Sequence, residues 1–464
     1  MLECQTFCSA DLNVDFMSSV SAAAVTNIID RTCNQAFLLT DDGGLNDVDD
    51  PLSGAWLSAT GVRTRYIAEP AEVLDHYPRT SEVYKAAEAF FGNRNRGLAS
   101  YFLLGFWDKA GGEGVATALD IIAACNGCFC HGTLVHFDST GAEIFDTADA
   151  LAFAEWFNVN GKMSYQDSFD ELHEDNTDTT NITAQIAAQN FECQSIVYQK
   201  VRCQKAFDAN GDPVLIPAGD PLVDHLGDPI VPAAVSDGTI QALEPYYPYE
   251  AFMLAGYAAG VDFTQRNSGY SMNYKPQGGG GWAGIAPSGF DSTQVISVTG
   301  VLPDATQVPN NNGQANVYVQ TGGSPHMFPG LTATGRWIDC CHLDKFLRKQ
   351  LKDRIANMFI NNRRIPYDQN RGGTLVLNEL QQVFQRAQSN LHFTTDPVDW
   401  EGLGYEDIQR EGTGWVITAE TYEVQDAATR AIRKAPIYKF CYVKANAIHH
   451  VPIEICVVSP QVTN

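Results

Sequence analysis

Between Gly335 and Tyr367 the chain reads GRWIDCCHLDKFLRKQLKDRIANMFINNRRIPY, and the apolar residues Leu343, Phe346, Leu347, Leu351, Ile355, Met358 and Phe359 recur every three or four positions. That period lines one face of a helix about 33 Å long at ~1.5 Å per residue, which Asp339 can cap and Pro366 stops. After Gly372 and Gly373, the residues Val376, Leu380, Val383, Phe384 and Ala387 keep the same period and predict a partner helix. Upstream, apolar runs at 36–40, 101–107, 128–137, 191–200 and 316–319 read as strands. Helical periods fall between them, at 81–91, 114–124, 149–157, 182–190 and 246–259. Strand patterns return at 414–424 and 437–443.

The two ends have a different texture. Asp11-Leu12-Asn13-Val14-Asp15-Phe16 alternates polar and apolar residues, the pattern of a strand with one covered face, and the small residues of 18–24 set it apart from the rest of the chain. Near the other terminus Val451, Ile453, Ile455 and Val457 alternate in the same way, with Pro452 placing that strand at a sheet edge. A lone strand is not stable, so each must pair, either within the chain or with another copy. Residues 205–242 repeat Gly-Asp-Pro-apolar-apolar three times at eight-residue spacing, a series of turns with little core that reads as an exposed insertion.

Charge changes the picture of the long helix. The 464-residue chain carries a formal −25, which disfavours contact with nucleic-acid phosphates. Yet residues 339–364 hold seven Lys and Arg against three Asp, and Lys345, Arg348, Lys349 and Lys352 follow one another along the face opposite the apolar stripe. Such a stripe is either a solvated face or a docking surface for an acidic partner. No apolar run reaches the length of a membrane span, and Arg31 is the first cation, so a charged leader is not expected and the protein is expected in a cytosol. There the twelve cysteines are expected to be reduced and mostly buried.

The stretch that invites an enzymatic reading is Cys125-Asn126-Gly127-Cys128-Phe129-Cys130-His131, whose spacing suits zinc or a redox pair. A structural zinc site needs a second ligand pair, and none occurs downstream. The acids of 167–178 lack the glycine and closing glutamate of a calcium loop, and the glycine run 277–281 lacks the Lys-Ser/Thr of a phosphate loop. No nucleophile elbow or His-Glu-x-x-His motif occurs, so no catalytic residue, metal ligand or cofactor is expected.

The Gly-Arg-Trp-Ile-Asp start of the long helix, its Asn-Arg-Arg-Ile-Pro-Tyr exit, the Gly-Gly turn and the second helix resemble the C-terminal part of bacteriophage contractile tail sheath proteins. The strand-helix-strand order of 25–107, the Tyr-Pro helix start near 246, Asn273-Tyr274-Lys275-Pro276 and Asn316-Val317-Tyr318-Val319 are similar to further landmarks of that family. The resemblance implies an α/β (α+β mixed) fold of several domains, with mixed sheets flanked by helices and extended strand arms at both termini. It divides the chain into an arm (1–22), an outer α/β domain (23–204 and 243–335) carrying the insertion 205–242, an inner domain facing the tail tube (336–450) and a second arm (451–464). Leu12, Val14 and Phe16, and Val451, Ile453, Ile455 and Val457, would add strands to neighbouring subunits, while Lys345, Arg348, Lys349 and Lys352 would face the tube. The implied protein is a structural subunit of the virion, assembled in the host bacterial cytoplasm. Its implied partners are copies of itself in stacked six-fold rings, the tube protein, and baseplate and tail terminator proteins, with no nucleic acid and no membrane insertion. Without a fuel site, contraction would draw on a difference between two subunit packings set at assembly. The alternatives are a non-contractile tube or baseplate component and, further off, a cytosolic zinc or thiol enzyme built on Cys125, Cys128, Cys130 and His131.

Overall fold

The computed structural model describes residues 35–45, 56–57, 63–93, 99–127, 129–205, 212–218, 242–272, 289–302, 306–308, 310–321, 324–396, 398–400, 414–419 and 421–445. Both expected arms, most of the Gly-Asp-Pro insertion, the glycine run at 277–281 and Cys128 lie outside them.

Eight strands form one sheet: β1 (Ala36–Thr40), β2 (Thr64–Ile67), β3 (Phe102–Phe106), β4 (His131–Leu134), β5 (Met163–Ser168), β6 (Gln194–Tyr198), β9 (Asn316–Thr321) and β10 (Ser324–Phe328). Their order across the sheet is β10-β9-β6-β5-β4-β1-β3-β2. The six inner strands are parallel, and β2 and β10 close the two edges antiparallel. Parallel strands are covered on both faces, which is why β1 (AFLLT) and β3 (FLLGF) are apolar runs and buried throughout. Phe102 turns to one face, where it meets Phe90 and Phe252 of the helices Glu82–Gly92 and Glu250–Ala259. Phe37 turns to the other and packs on Phe129 and on Phe157 of the helix Ala148–Val159. That helix lies so close to β4 that a Cβ at Gly132 would overlap the Phe157 ring. A short hairpin, β7 (Arg202–Lys205) with β8 (Leu243–Tyr246), stands at the base of the insertion.

A second, smaller core lies in the C-terminal part. The helix Ile338–Asn361, 24 residues long, packs on the helix Thr374–Ser389 and on a two-stranded sheet of β11 (Trp415–Ala419) and β12 (Tyr438–Tyr442). Leu343, Phe346, Leu347, Leu351 and Met358 meet Leu380, Val383, Phe384, Trp415 and Phe440 there. The helix Glu250–Ala259 joins the two cores, since the residues just beyond its end, Val261 and Phe263, are buried in the second. The C-terminal unit sits at the amino-terminal edge of the large sheet, with His342 against His131 at the start of β4 and Arg336 on Glu192 just before β6.

The structure corrects the sequence reading at several points. Residue 167 is not in an acidic loop: Met163-Ser-Tyr-Gln-Asp-Ser forms β5, buried along its whole length, and the loop starts after it. Trp337 is the N-cap of the long helix and Asp339 lies in its first turn, and the helix ends at Asn361 rather than running to Pro366. Phe359, assigned to the apolar face, is 52% exposed because the partner sheet and helix do not cover the last turn. The strand expected at 414–424 stops at Ala419, and a single 3-10 turn covers Tyr422–Val424.

Candidate functional site

Where the two units meet, their polar groups converge on Asp344, which the long helix presents from its second turn while its apolar neighbours Leu343 and Phe346 face the core. The Asp344 carboxylate receives Arg336 Nη2 at 2.8 Å, Lys444 Nζ at 2.9 Å and the hydroxyl of Tyr442. The other arm of the same guanidinium, Nη1, reaches Glu192 of the α/β unit at 2.8 Å. Arg336 therefore ties the segment before β6 to the helix, in the forked geometry that suits arginine better than lysine. Desolvation works to lower the Lys444 pKa, and the Asp344 carboxylate more than offsets it, leaving the ammonium held charged. Beside this hub Cys341 Sγ lies 3.5 Å from the Glu192 carbonyl oxygen and within hydrogen-bond reach of Cys193. The hydrogen bond from Cys341 lowers the Cys193 pKa against the effect of burial and raises that of Cys341.

A second polar cluster lies at the opposite, carboxyl-terminal edge of the sheet. Asp167, at the end of β5, accepts the Ala251 N–H at 2.9 Å and the Gln199 amide, and faces His136 Nε2 at 3.0 Å. His136 stacks on Tyr249 at 3.8 Å, and the Tyr249 hydroxyl donates to Glu82 at 2.7 Å. Glu250 pairs with Arg202 at 2.8 Å. Burial dominates the titration here: it raises Asp167 well above the usual carboxylate range, raises Glu250 to about 7, and lowers His136 to about 4. A His-Asp pair can serve acid-base chemistry only where substrate reaches it. Here the two side chains are 2% and 0% exposed, so the pair anchors the first turn of Glu250–Ala259 to the strand ends.

The residues singled out from the sequence separate. Lys345, Arg348, Lys349 and Lys352 do lie on the long helix, but all four are half-buried, and Arg348, Lys349 and Lys352 are already engaged within the chain. Cys125 is exposed at the end of the helix Val115–Asn126, while His131 is buried in β4 and within 3.3 Å of the Tyr165 hydroxyl. Among the described residues no three His, Cys, Asp or Glu side chains gather as a metal site. No helix is long and apolar enough to cross a membrane among them. Sequence reasoning missed Asp344, Arg336 and Lys444 as a group. The one available signal was a lone acid inside the otherwise basic run at 344–349.

The fold and these polar clusters define a two-unit α/β protein whose buried charges join one unit to the other. Residues 338–457, about a quarter of the chain, match the family model described as the C-terminal domain of the E217 tail sheath protein gp31-like family, so the chain carries a C-terminal domain of tail-sheath type. No curated protein matches it in sequence. Among solved structures, it is similar to a chain of the anti-feeding prophage baseplate at 10% identity and a TM-score of 0.49, over 92% of this chain and 94% of that one. It is likewise similar to a chain of the PVC extracellular contractile injection system sheath complex in the contracted state, at 10% identity and a TM-score of 0.48, over 92% and 93%.

Proposed function

We propose that this chain is the subunit of a contractile tail sheath: it polymerises as six-fold rings stacked into a helix around a tail tube and contracts to drive the tube through a host envelope. The match of residues 338–457 to a tail-sheath C-terminal domain carries the reading. Its role is structural rather than enzymatic, its place is the tail of the virion, and its partners are copies of itself, the tube, the baseplate and the tail terminator.

The C-terminal unit supports the way neighbours are linked. Among the described residues its sheet has only β11 and β12, one face of which packs on the two long helices. Strands added by the arms of adjacent copies, through Leu12, Val14 and Phe16 on one side and Val451, Ile453, Ile455 and Val457 on the other, would extend it. Each backbone hydrogen bond so formed contributes about 1 kcal/mol net, enough in number to tether copies while their α/β units reorient. The Lys345–Lys352 stripe lies on the helix of this unit and would meet the tube through contacts of about 0–1 kcal/mol each, weak enough to release.

Negative-stain microscopy of the purified chain tests the reading. Hollow striated cylinders wide enough to hold a tube are expected, and cylinders of one narrow bore with no wider packing would point instead to a tube protein. Deleting residues 1–22 should leave monomers; cylinders assembled without that segment would rule out its linking role.

A further inference from the structure

The end of the C-terminal unit farthest from the large sheet is basic. Arg363, Arg364 and Arg371 flank the turn between the two long helices, and Arg430, Arg433 and Lys434 succeed one another around the short helix Ala427–Ala431. Tyr367 brings the two segments together: its ring packs on Tyr422 at 5.0 Å and its hydroxyl donates to the Lys434 carbonyl at 2.8 Å. All six cations are exposed, and among the described residues the one ion pair the structure gives them is Arg371 with Asp368 at 2.9 Å, a local i,i+3 contact. Asp426, at the start of the short helix, is held in its own turn by Thr429. Between the cations stand Ile360, 78% exposed, and Ile432, 73% exposed. Exposed arginine beside exposed aliphatic surface is the composition of a protein-binding patch more than of a solvated face.

The opposite end of the molecule has the complementary character. Residues 336–445 hold 16 of the chain's 30 Lys and Arg but only 14 of its 55 Asp and Glu, so the net negative charge resides elsewhere. At the carboxyl-terminal edge of the sheet, the loop after β5 presents Glu171, Asp175 and Asp178 around Leu172, itself 44% exposed. Asp175 and Asp178 hold this loop in shape by accepting the backbone N–H groups of Thr177 at 2.9 Å and Thr180 at 2.7 Å. The C-terminal unit joins the amino-terminal edge, so the basic tip and the acidic loop lie at opposite ends of one molecule and cannot satisfy each other.

We infer that the basic tip of one copy docks on the acidic loop of the next, Arg430 and Arg433 against Glu171 and Asp175, with Ile432 and Leu172 in apolar contact. This rests on the self-assembly reading above and assigns it a second contact, separate from the strand arms. A contact between two different surfaces of the same chain is heterologous and propagates rather than closing into a dimer. The exposed isoleucines favour a protein surface over a phosphate backbone, whose contacts are ionic.

Charge exchange in the full chain tests it. Arg430→Glu with Arg433→Glu reverses the tip, and Glu171→Lys with Asp175→Lys reverses the loop; all four sites are exposed, and unchanged circular dichroism and Tm confirm folding. Sedimentation velocity is run at ~0.1 M salt, where a Debye length of about 10 Å screens the overall repulsion and leaves local contacts. Each reversed variant alone should associate at least about tenfold more weakly than wild type, equivalent to a few exposed charge contacts. An equimolar mixture of the two should recover the lost association, because every reversed surface then finds its complement. Failure of the mixture to recover, wild-type association by either variant, or a wild-type chain that stays monomeric overturns the inference. So does a DNA duplex retarded by wild type and not by the tip variant while self-association is unchanged. Cylinders formed equally by all variants would end this inference and leave the sheath reading standing; charge-exchangeable oligomers without cylinders would do the reverse.

Discussion

Removing the Asp344 carboxylate should uncouple the two units. Asp344 is 5% exposed at its side chain, and its partners Arg336 and Lys444 are 12% and 14% exposed, so solvent cannot replace what Asp344→Ala removes. Lys444 would be left buried without its carboxylate partner, Arg336 would keep Glu192 alone, and the Tyr442 hydroxyl would lose its acceptor. Breaking a buried pair from one side costs about 3–5 kcal/mol. At a urea slope of about 2 kcal/mol/M, that lowers the unfolding midpoint of the C-terminal unit by roughly 2 M. Trp415, buried in that unit against Phe384, reports the transition by fluorescence. The control is the apolar replacement of the whole site, Asp344→Leu with Arg336→Met and Lys444→Met, which should restore most of the loss because no charge is stranded. Glu192 tolerates the loss of Arg336 in that variant because its side chain is 47% exposed. A midpoint shift in Asp344→Ala of less than about 0.5 M, or a triple variant no more stable than the single one, would refute the argument that charge burial, rather than packing, makes this site sensitive.

Three further outcomes are expected. Glu250, raised to about 7 from 4.5 mainly by burial and only partly offset by Arg202, contributes stability that is full below pH 4.5 and lost as pH rises through 7. Glu250→Gln should therefore gain on wild type between pH 5 and 8, by up to about 3 kcal/mol in thermal or urea unfolding, and a constant difference would contradict the assignment. His136 has the opposite sign: lowered from 6.5 to about 4 by burial, its contribution is lost as pH falls through that window, which wild-type melts should show as acid sensitivity below pH 6. Gly372→Ala would drive a Cβ into the Pro366 carbonyl, so a loss of about 1–3 kcal/mol is expected, read as a lower Tm of the C-terminal unit.

The apolar periods made most of this architecture legible. The runs at 36–40 and 101–107 coincide with β1 and β3 because a parallel strand covered on both faces must be apolar throughout. The helices 338–361 and 374–389 were visible because each needs only one apolar face. β5 escaped for the complementary reason: in Ser164-Tyr165-Gln166-Asp167-Ser168 the strand is buried while its side chains are polar, and their partners, Gln194, Gln199 and the Ala251 N–H, lie 30 to 84 residues away. A local pattern records burial only when burial is apolar; a polar group buried against a distant partner leaves no period behind it. The same limit hid the hub, since Arg336, Asp344 and Lys444 look like ordinary surface charges until the fold closes a separation of 100 residues. The basic stripe meets the same limit. Lys345, Arg348, Lys349 and Lys352 share a helical face, but a helical wheel does not show what covers that face, and the structure half-buries them all. The exposed cations of the turn and the short helix beyond lie where no period exists to be read. Charge on this chain is thus used twice: buried and paired where the units join, and open at the tip, where a second molecule can reach it.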